Sequence, residues 1–319
     1  SGAAAVAEVI EQIILVRRLC ARYPDRLRLA TTAAQVRAAF ADGRIASLLG
    51  AEGGGCIAGS LTVLRALRRL GVRYLTLTHE RNVGWADSCA DAPDTGGLSE
   101  FGRQVVVTMN EIGMMVDLSH VAAATMRAAL AASTRPVLFT HSSCRALTDN
   151  PRNVPDDVLA QLAGNGGVCM ITFVPAFVSQ EFSDWYDASA PWRVAHPDAG
   201  FAEYEAGHPA PTATLAQVAD HIEHAREVAG VAHIGLGGDY DGASVMPVGL
   251  ADVSGYPALL AELARRGWND RELAALAGQN VLRVLADNEP GGGADGETVG
   301  GADGETVGGA DNEAGPRTR

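Results

Sequence analysis

The sequence predicts an α/β fold, a parallel sheet flanked by helices and closed as a TIM-like (β/α)8 barrel of which about six of eight strands are visible. Three observations carry this. Short apolar runs alternate with amphipathic helical stretches, the runs are apolar on both faces as buried parallel strands are, and a polar residue ends nearly every run: Glu52, His79, His120, His141 and Asp239. In a barrel such ends meet at one mouth, whereas in an open doubly wound sheet they spread along an edge. No Gly-rich dinucleotide fingerprint opens any of the helices, which also favours the barrel.

Residues 5–22 set Glu8, Glu11, Arg17 and Arg18 against Val9, Ile13, Ile14 and Leu19, the pattern of an amphipathic first helix. A short strand over 27–30 and a Thr-capped helix over 32–40 follow. The six main strands are expected at 45–51, 73–78, 113–118, 136–140, 167–173 and 233–237. Helices are expected between them at 60–70, 100–112, 122–132, 155–162 and 215–228, with 256–266 and 270–285 closing the body. His221 and His224 lie one turn apart on a helix far from the strand ends and read as surface residues. Residues 175–212 break the alternation with a long excursion rich in Pro and aromatics, either an active-site lid or a surface insertion. Residues 1–290 make one barrel domain. In 291–319 the octet GGADGETV stands at 292–299 and 300–307 with a partial third copy, and apolar residues are nearly absent, which predicts a disordered tail.

Of 319 residues, 47% are apolar and 20% charged, enough for a large core. No stretch approaches the ~20 uninterrupted apolar residues of a membrane-spanning helix. The formal net charge of −13 excludes the basic footprint of a nucleic-acid binder. All 25 basic residues are Arg, so Schiff-base lysines, phosphate-loop lysines and carbamylated-lysine metal bridges are excluded. The five cysteines, Cys20, Cys56, Cys89, Cys144 and Cys169, are odd in number and form no CxxC pair. They read as reduced thiols of an intracellular, cytoplasmic protein, in keeping with a chain that no secretory signal opens.

Glu52, in Ala-Glu-Gly-Gly, ends a buried strand, where a carboxylate is costly unless paired or bound to metal. His120, in Asp-Leu-Ser-His, and His141, in Phe-Thr-His-Ser-Ser, end consecutive strands. With Glu52 they complete the three-protein-ligand set of a catalytic zinc with an open fourth position. His79 is a fourth ligand, an imidazole that polarises a substrate carbonyl, or a hydrogen-bonded structural residue. Asp239, in Gly-Gly-Asp-Tyr-Asp-Gly, suits a general base that later returns the proton to a leaving amine, or else belongs to a turn. Arg152, in Arg-Asn-Val-Pro-Asp-Asp, either clamps a substrate carboxylate or pairs at the surface with Asp156 or Asp157. His196 and Asp198 have a chelating spacing but sit in the excursion, away from any strand.

These motifs, with Arg-Tyr-Leu-Thr-Leu-Thr-His and the Asn-x-x-Trp-Ala-Asp of 82–87, occur in one order and spacing from about residue 5 to residue 286. Together they resemble the renal (membrane) dipeptidase family of zinc peptidases, metallohydrolase barrels that cleave dipeptides, often with a D- or dehydro residue at the C-terminal position. The resemblance implies two zinc ions, with Glu52 bridging them and His120 and His141 holding one. It implies substrate binding by His79 and Arg152 and proton transfer by Asp239. The family's other zinc is held by a His-x-Asp pair on the first strand, and nothing upstream of Glu52 matches it. The family's first two strands are the two missing from the count, so the chain resembles a member shortened at its N-terminus, with one complete zinc site and a barrel open where those strands are lost. Exposed strand edges invite pairing, and a homodimer is the corresponding expectation. A non-catalytic or single-metal relative, or another metal-dependent amide or ester hydrolase of the same barrel class, are the alternatives.

Overall fold

A computed structural model describes residues 2–199 and 201–290; the expected tail at 291–319 lies outside the described residues. The chain opens with α1 (Ala3–Arg22), β1 (Leu27–Leu29), α2 (Ala33–Ala41) and β2 (Ile45–Ser47). The Thr32 hydroxyl accepts from Gln35 N and so caps α2. Strands β1 and β2 pair in parallel as a separate two-stranded sheet.

The single strand expected over 45–51 is therefore two. After Leu48 the chain leaves that small sheet and enters the main one as β3 (Leu49–Glu52). An unbroken apolar run gives no sign of where a chain changes sheets. The main sheet continues through β4 (Val72–Thr76), β5 (Met115–Asp117), β6 (Leu138–Ser142), β7 (Val168–Ile171) and β8 (Ile234–Leu236). All six strands are parallel and pair in sequential order, the topology of a (β/α) barrel wall. Among the described residues, β3 and β8 are the two ends of this sheet.

Its outer face is covered by helices that return the chain between strands: α3 (Leu61–Arg69), α4 (Glu100–Ile112), α5 (Ala123–Ala132) and α6 (Asp156–Asn165). Ser60 and Ser99 cap α3 and α4, and α4 ends at Gly113 in the left-handed conformation (φ 70°) that glycine adopts without strain. The excursion is not a loop. It folds as α7 (Pro175–Val178), α8 (Gln180–Ala188), α9 (Ala190–Ala195) and α10 (Phe201–Gly207), drawn together by Phe182, Trp185, Trp192 and Tyr204. His196 stacks on Trp192 there.

Helix α11 (Leu215–Ala229) returns to β8, and here one reading is corrected. His221 is not a surface residue: it is 1% exposed, and its Nδ1 accepts from Cys144 N at 3.1 Å. The helix packs on α6, so the face that the histidines share is half covered, and His224 reaches Asp156 at 2.9 Å.

The expected helix over 270–285 is likewise broken. α12 (Tyr256–Arg265) and α13 (Asp270–Ala274) are followed by a wide turn of π-helix at Ala275–Gln279, where Gly278 departs from helical angles, and then by α14 (Asn280–Asn288). Helix α14 seals the end of the sheet opposite the strand C-termini. Asn280 Nδ2 donates to the carbonyls of Val231 and Ile234, Arg283 to those of Gly166 and Ala232, and Asn288 to that of Pro136, all at or just before strand starts. Val284 and Leu285 pack on Met115, Leu138 and Val168. With that end covered, the polar residues at the strand C-termini stand at the opposite end of the sheet.

Candidate active site

Glu52 is the last residue of β3, His141 lies within β6, and His79, His120 and Asp239 follow β4, β5 and β8 by three residues. In a flat sheet β3 and β6, three strands apart, would stand about 14 Å from each other, more than a Glu and a His can bridge. Yet Glu52 Oε1 lies 3.3 Å from His141 Nε2 and 3.1 Å from His120 Nε2, and the two Nε2 atoms are 2.8 Å apart. The sheet is curled, and the curl brings three distant residues to one point.

The backbone accommodates this meeting at some cost. His120 (φ 66°) and Asp239 (φ 57°) both adopt the left-handed conformation that side chains disfavour. The His120 carbonyl is pinned by Thr78 Oγ1, Ser88 Oγ and Cys89 N. Gly54 is needed by a close approach: any side chain there would overlap the Trp85 ring and the Leu77 carbonyl.

Among the described residues, Glu52, His120 and His141 are the one group of His, Cys, Asp and Glu whose donor atoms converge closely enough to hold a metal ion. Their donors, two imidazole nitrogens and a carboxylate oxygen, are those of a catalytic zinc. Zinc bonds of 2.0–2.2 Å place tetrahedral ligands about 3.3–3.6 Å apart; the two separations from Glu52, 3.1 and 3.3 Å, are close to this, and the two histidine nitrogens, 2.8 Å apart, would spread by about half an ångström around an ion. The residues fit the ion. Burial works to raise the Glu52 carboxyl, but the imidazoles of His120 and His141 against it outweigh burial and hold the group well below the usual carboxylate range. Burial lowers His120 to about 4 against the pull of Glu52, so its imidazole is neutral at pH 7.

Around this group stand the other predicted residues. The His79 ring lies 4.6 Å from that of His120, outside the converging trio. Arg152 is 8% exposed and forms no surface ion pair among the described residues: Asp157 is engaged by Arg127 and Asp156 by His224. The guanidinium lies against the Phe177 ring, its Nη2 donates to the His141 carbonyl at 3.2 Å, and its Nη1 is buried with no partner among the described residues. Asp239 is half-buried, and burial above all raises its carboxyl, against the attraction of His141 and Arg152.

Sequence reasoning missed two residues. Gly242 passes so close to the Asp239 carboxylate that any side chain would displace it. Asp117, fully buried on β5, accepts from Thr76 Oγ1, Thr140 Oγ1, Thr140 N and Ser119 N. An acid inside an apolar strand was the available signal, since a buried carboxylate requires partners.

The sequence model of the membrane dipeptidase family, peptidase family M19, matches residues 1–291. Dipeptidase verJ of Clonostachys rogersoniana is 46% identical over 277 residues, covering 86% of this chain and 64% of its own length. Dipeptidase aclJ of Aspergillus oryzae is 43% identical over 287 residues, 89% of this chain and 62% of its own. The chain thus spans less than two thirds of these curated relatives. Among solved structures, the probable dipeptidase PvdM of Pseudomonas aeruginosa superposes with a TM-score of 0.80 at 25% identity, over 89% of this chain and 80% of that one. A metallopeptidase of Rhodobacter sphaeroides, liganded with a phosphinate mimic of the dipeptide L-Ala-D-Ala, gives 0.71 at 28% identity, over 86% and 72%.

Proposed function

The chain belongs to the membrane dipeptidase family, and on that premise we propose that it hydrolyses dipeptides with the help of zinc held by Glu52, His120 and His141. The convergence of those three donors at the mouth of the sheet is the observation that carries the proposal. A zinc ion bound there supplies Lewis acidity to the amide carbonyl and lowers the pKa of the attacking water.

The rest is done by side chains of this chain. Arg152 receives the free C-terminal carboxylate of the substrate: among the described residues Nη1 is a buried donor without a partner, and leaving such a donor unmatched costs about 1–3 kcal/mol that a carboxylate would recover. That clamp sets the length of the substrate, since the carboxylate must sit one residue from the bond cleaved. Asp239 takes a proton from the attacking water on a carboxylate oxygen and delivers it to the amide nitrogen as the C–N bond breaks, releasing two amino acids. Its raised carboxyl pKa suits both halves of that exchange. His79, beside His120, orients the scissile carbonyl. The L-Ala-D-Ala mimic bound by the Rhodobacter sphaeroides relative makes a dipeptide ending in a D-residue the first substrate to try.

The test compares free dipeptides with the same dipeptides amidated at the C-terminus. The free acids should be the far better substrates, and Arg152→Ala should raise KM for them while leaving the amides unaffected. Equal rates on both would remove the clamp, and absence of hydrolysis by zinc-loaded protein would leave a non-catalytic relative. Elemental analysis should find one zinc per chain held by this group, and Glu52→Gln should abolish it.

A further inference from the structure

We propose that Asp117 selects the tautomer of His141, acting through Thr140, so that Nε2 always presents a lone pair to the ion. Asp117 touches neither substrate nor the converging donors and is a positioning residue; the inference rests on the ligand reading above.

The direction of each proton follows from what each group can do. Asp117 Oδ1 accepts two backbone N–H bonds, from Thr140 N at 2.9 Å and Ser119 N at 3.2 Å. Its Oδ2 accepts two hydroxyls, from Thr76 Oγ1 at 2.6 Å and Thr140 Oγ1 at 2.7 Å. A threonine hydroxyl has one proton, and that of Thr140 is committed to the carboxylate. Thr140 Oγ1 also lies 2.8 Å from His141 Nδ1. With its proton spent, the oxygen can only accept, so Nδ1 carries the hydrogen and Nε2 does not. Nε2 is the atom that faces Glu52 Oε1 and His120 Nε2. The other partner within reach of the hydroxyl, Ser119 Oγ at 3.5 Å, is too far to compete with the carboxylate.

The same bonds dictate what Asp117→Asn would do. The two backbone N–H groups require an oxygen on their side, so the amide NH2 must face the two hydroxyls and donate to them. Thr140 would then turn its proton toward His141 Nδ1, leaving hydrogen on Nε2, where it blocks a metal bond. The variant is isosteric, yet the wrong tautomer results.

The experiment uses the full chain with Asp117→Asn, Thr140→Val, Thr140→Ser and the double variant D117N/T140V. Zinc affinity is read by competition with a chromophoric chelator, and the His141 tautomer by 15N shifts of labelled histidine in metal-free protein. D117N should weaken zinc binding by about 10- to 100-fold, the usual effect of losing a partner of a metal-binding histidine. T140S should match the parent, and T140V should lose less than D117N. In the double variant no hydroxyl remains to donate to Nδ1, so affinity should climb back to that of T140V. A merely structural role for Asp117 predicts the reverse, with losses that add. The proposal is overturned if D117N binds zinc as the parent does, if the double variant is weaker than D117N, or if the parent's His141 carries its hydrogen on Nε2. Failure of the parent to bind zinc would sink the ligand reading instead, while the 15N shifts would still decide the tautomer.

Discussion

A methyl group added at Gly242 would overlap the Asp239 carboxylate, most closely at its Oδ1, and the Asp239 main chain already holds Gly242 in a turn through the bond from Gly242 N to the Asp239 carbonyl, 3.1 Å long. The carboxylate would have to move, and misplacement of a reacting group by about 1 Å costs on the order of 10²-fold in rate. Gly242→Ala should therefore lower kcat/KM by about that factor while changing stability by less than ~0.5 kcal/mol, the usual scale for a change outside the core. An unaltered kcat/KM, measured on dipeptide substrate alongside a thermal melt, would show that Asp239 has room to spare. At this scale the sequence was most legible where a polar side chain interrupts an apolar pattern at its end, as at Glu52, His120, His141 and Asp239. It was least legible where meaning depends on a cross-strand neighbour. Asp117 matters because register sets it beside Thr76, and because Thr140 on β6 turns toward it; neither relation has any trace in local spacing.

Secondary-structure elements divide the molecule into a reactive end and a supporting end. Asn280, the first residue of α14, donates both of its amide protons to the carbonyls of Val231 and Ile234, at 2.7 and 2.8 Å. Asn280→Ala leaves both unsatisfied at a nearly dry site and should cost about 2 kcal/mol in urea unfolding. Activity per folded molecule should stay at the parental level, because the strand ends that carry the site lie at the opposite face. On α11, His221 is held neutral: its Nδ1 accepts from Cys144 N, and burial above all lowers it to about 4. An unfolded histidine titrates near 6.5, so the unfolded chain takes up the proton first. Stability is then fully present above pH 6.5 and drains as pH falls toward 4, by about 3 kcal/mol for this one group. His221→Gln should start lower at pH 7 and lose less between pH 6.5 and 4.5; a slope equal to the parent's would mean that other groups set the acid limit. The amphipathic periods marked these helices well. Burial of His221 was hidden because a helix with apolar residues on more than one side does not reveal how wide its covered face is.

Across the whole molecule, the fold was legible because alternation of strand and helix with doubly buried strands leaves few topologies, whereas the change of sheet at Leu48 and the seal made by α14 depend on contacts between segments far apart in sequence. The same remoteness would give an ion held by Glu52, His120 and His141 its thermodynamic reach. The three donors come from β3, from the turn after β5 and from β6, spanning residues 52 to 141, and they meet only if the sheet is curled. No unfolded chain presents that trio, so zinc would bind the folded state alone and stabilise it by mass action. At a free concentration of 100 times Kd the gain is about 2.7 kcal/mol. A domain of this size moves by roughly 2–4 °C per kcal/mol, so chelation should lower Tm by about 5–10 °C. His141→Ala should melt at the same temperature with and without zinc, because two remaining ligands do not tie the three segments together. A parent chain whose melting is indifferent to zinc would mean that the three donors meet for structural reasons and leave the curled sheet stable without an ion. A variant still raised by zinc would place the metal elsewhere in the molecule.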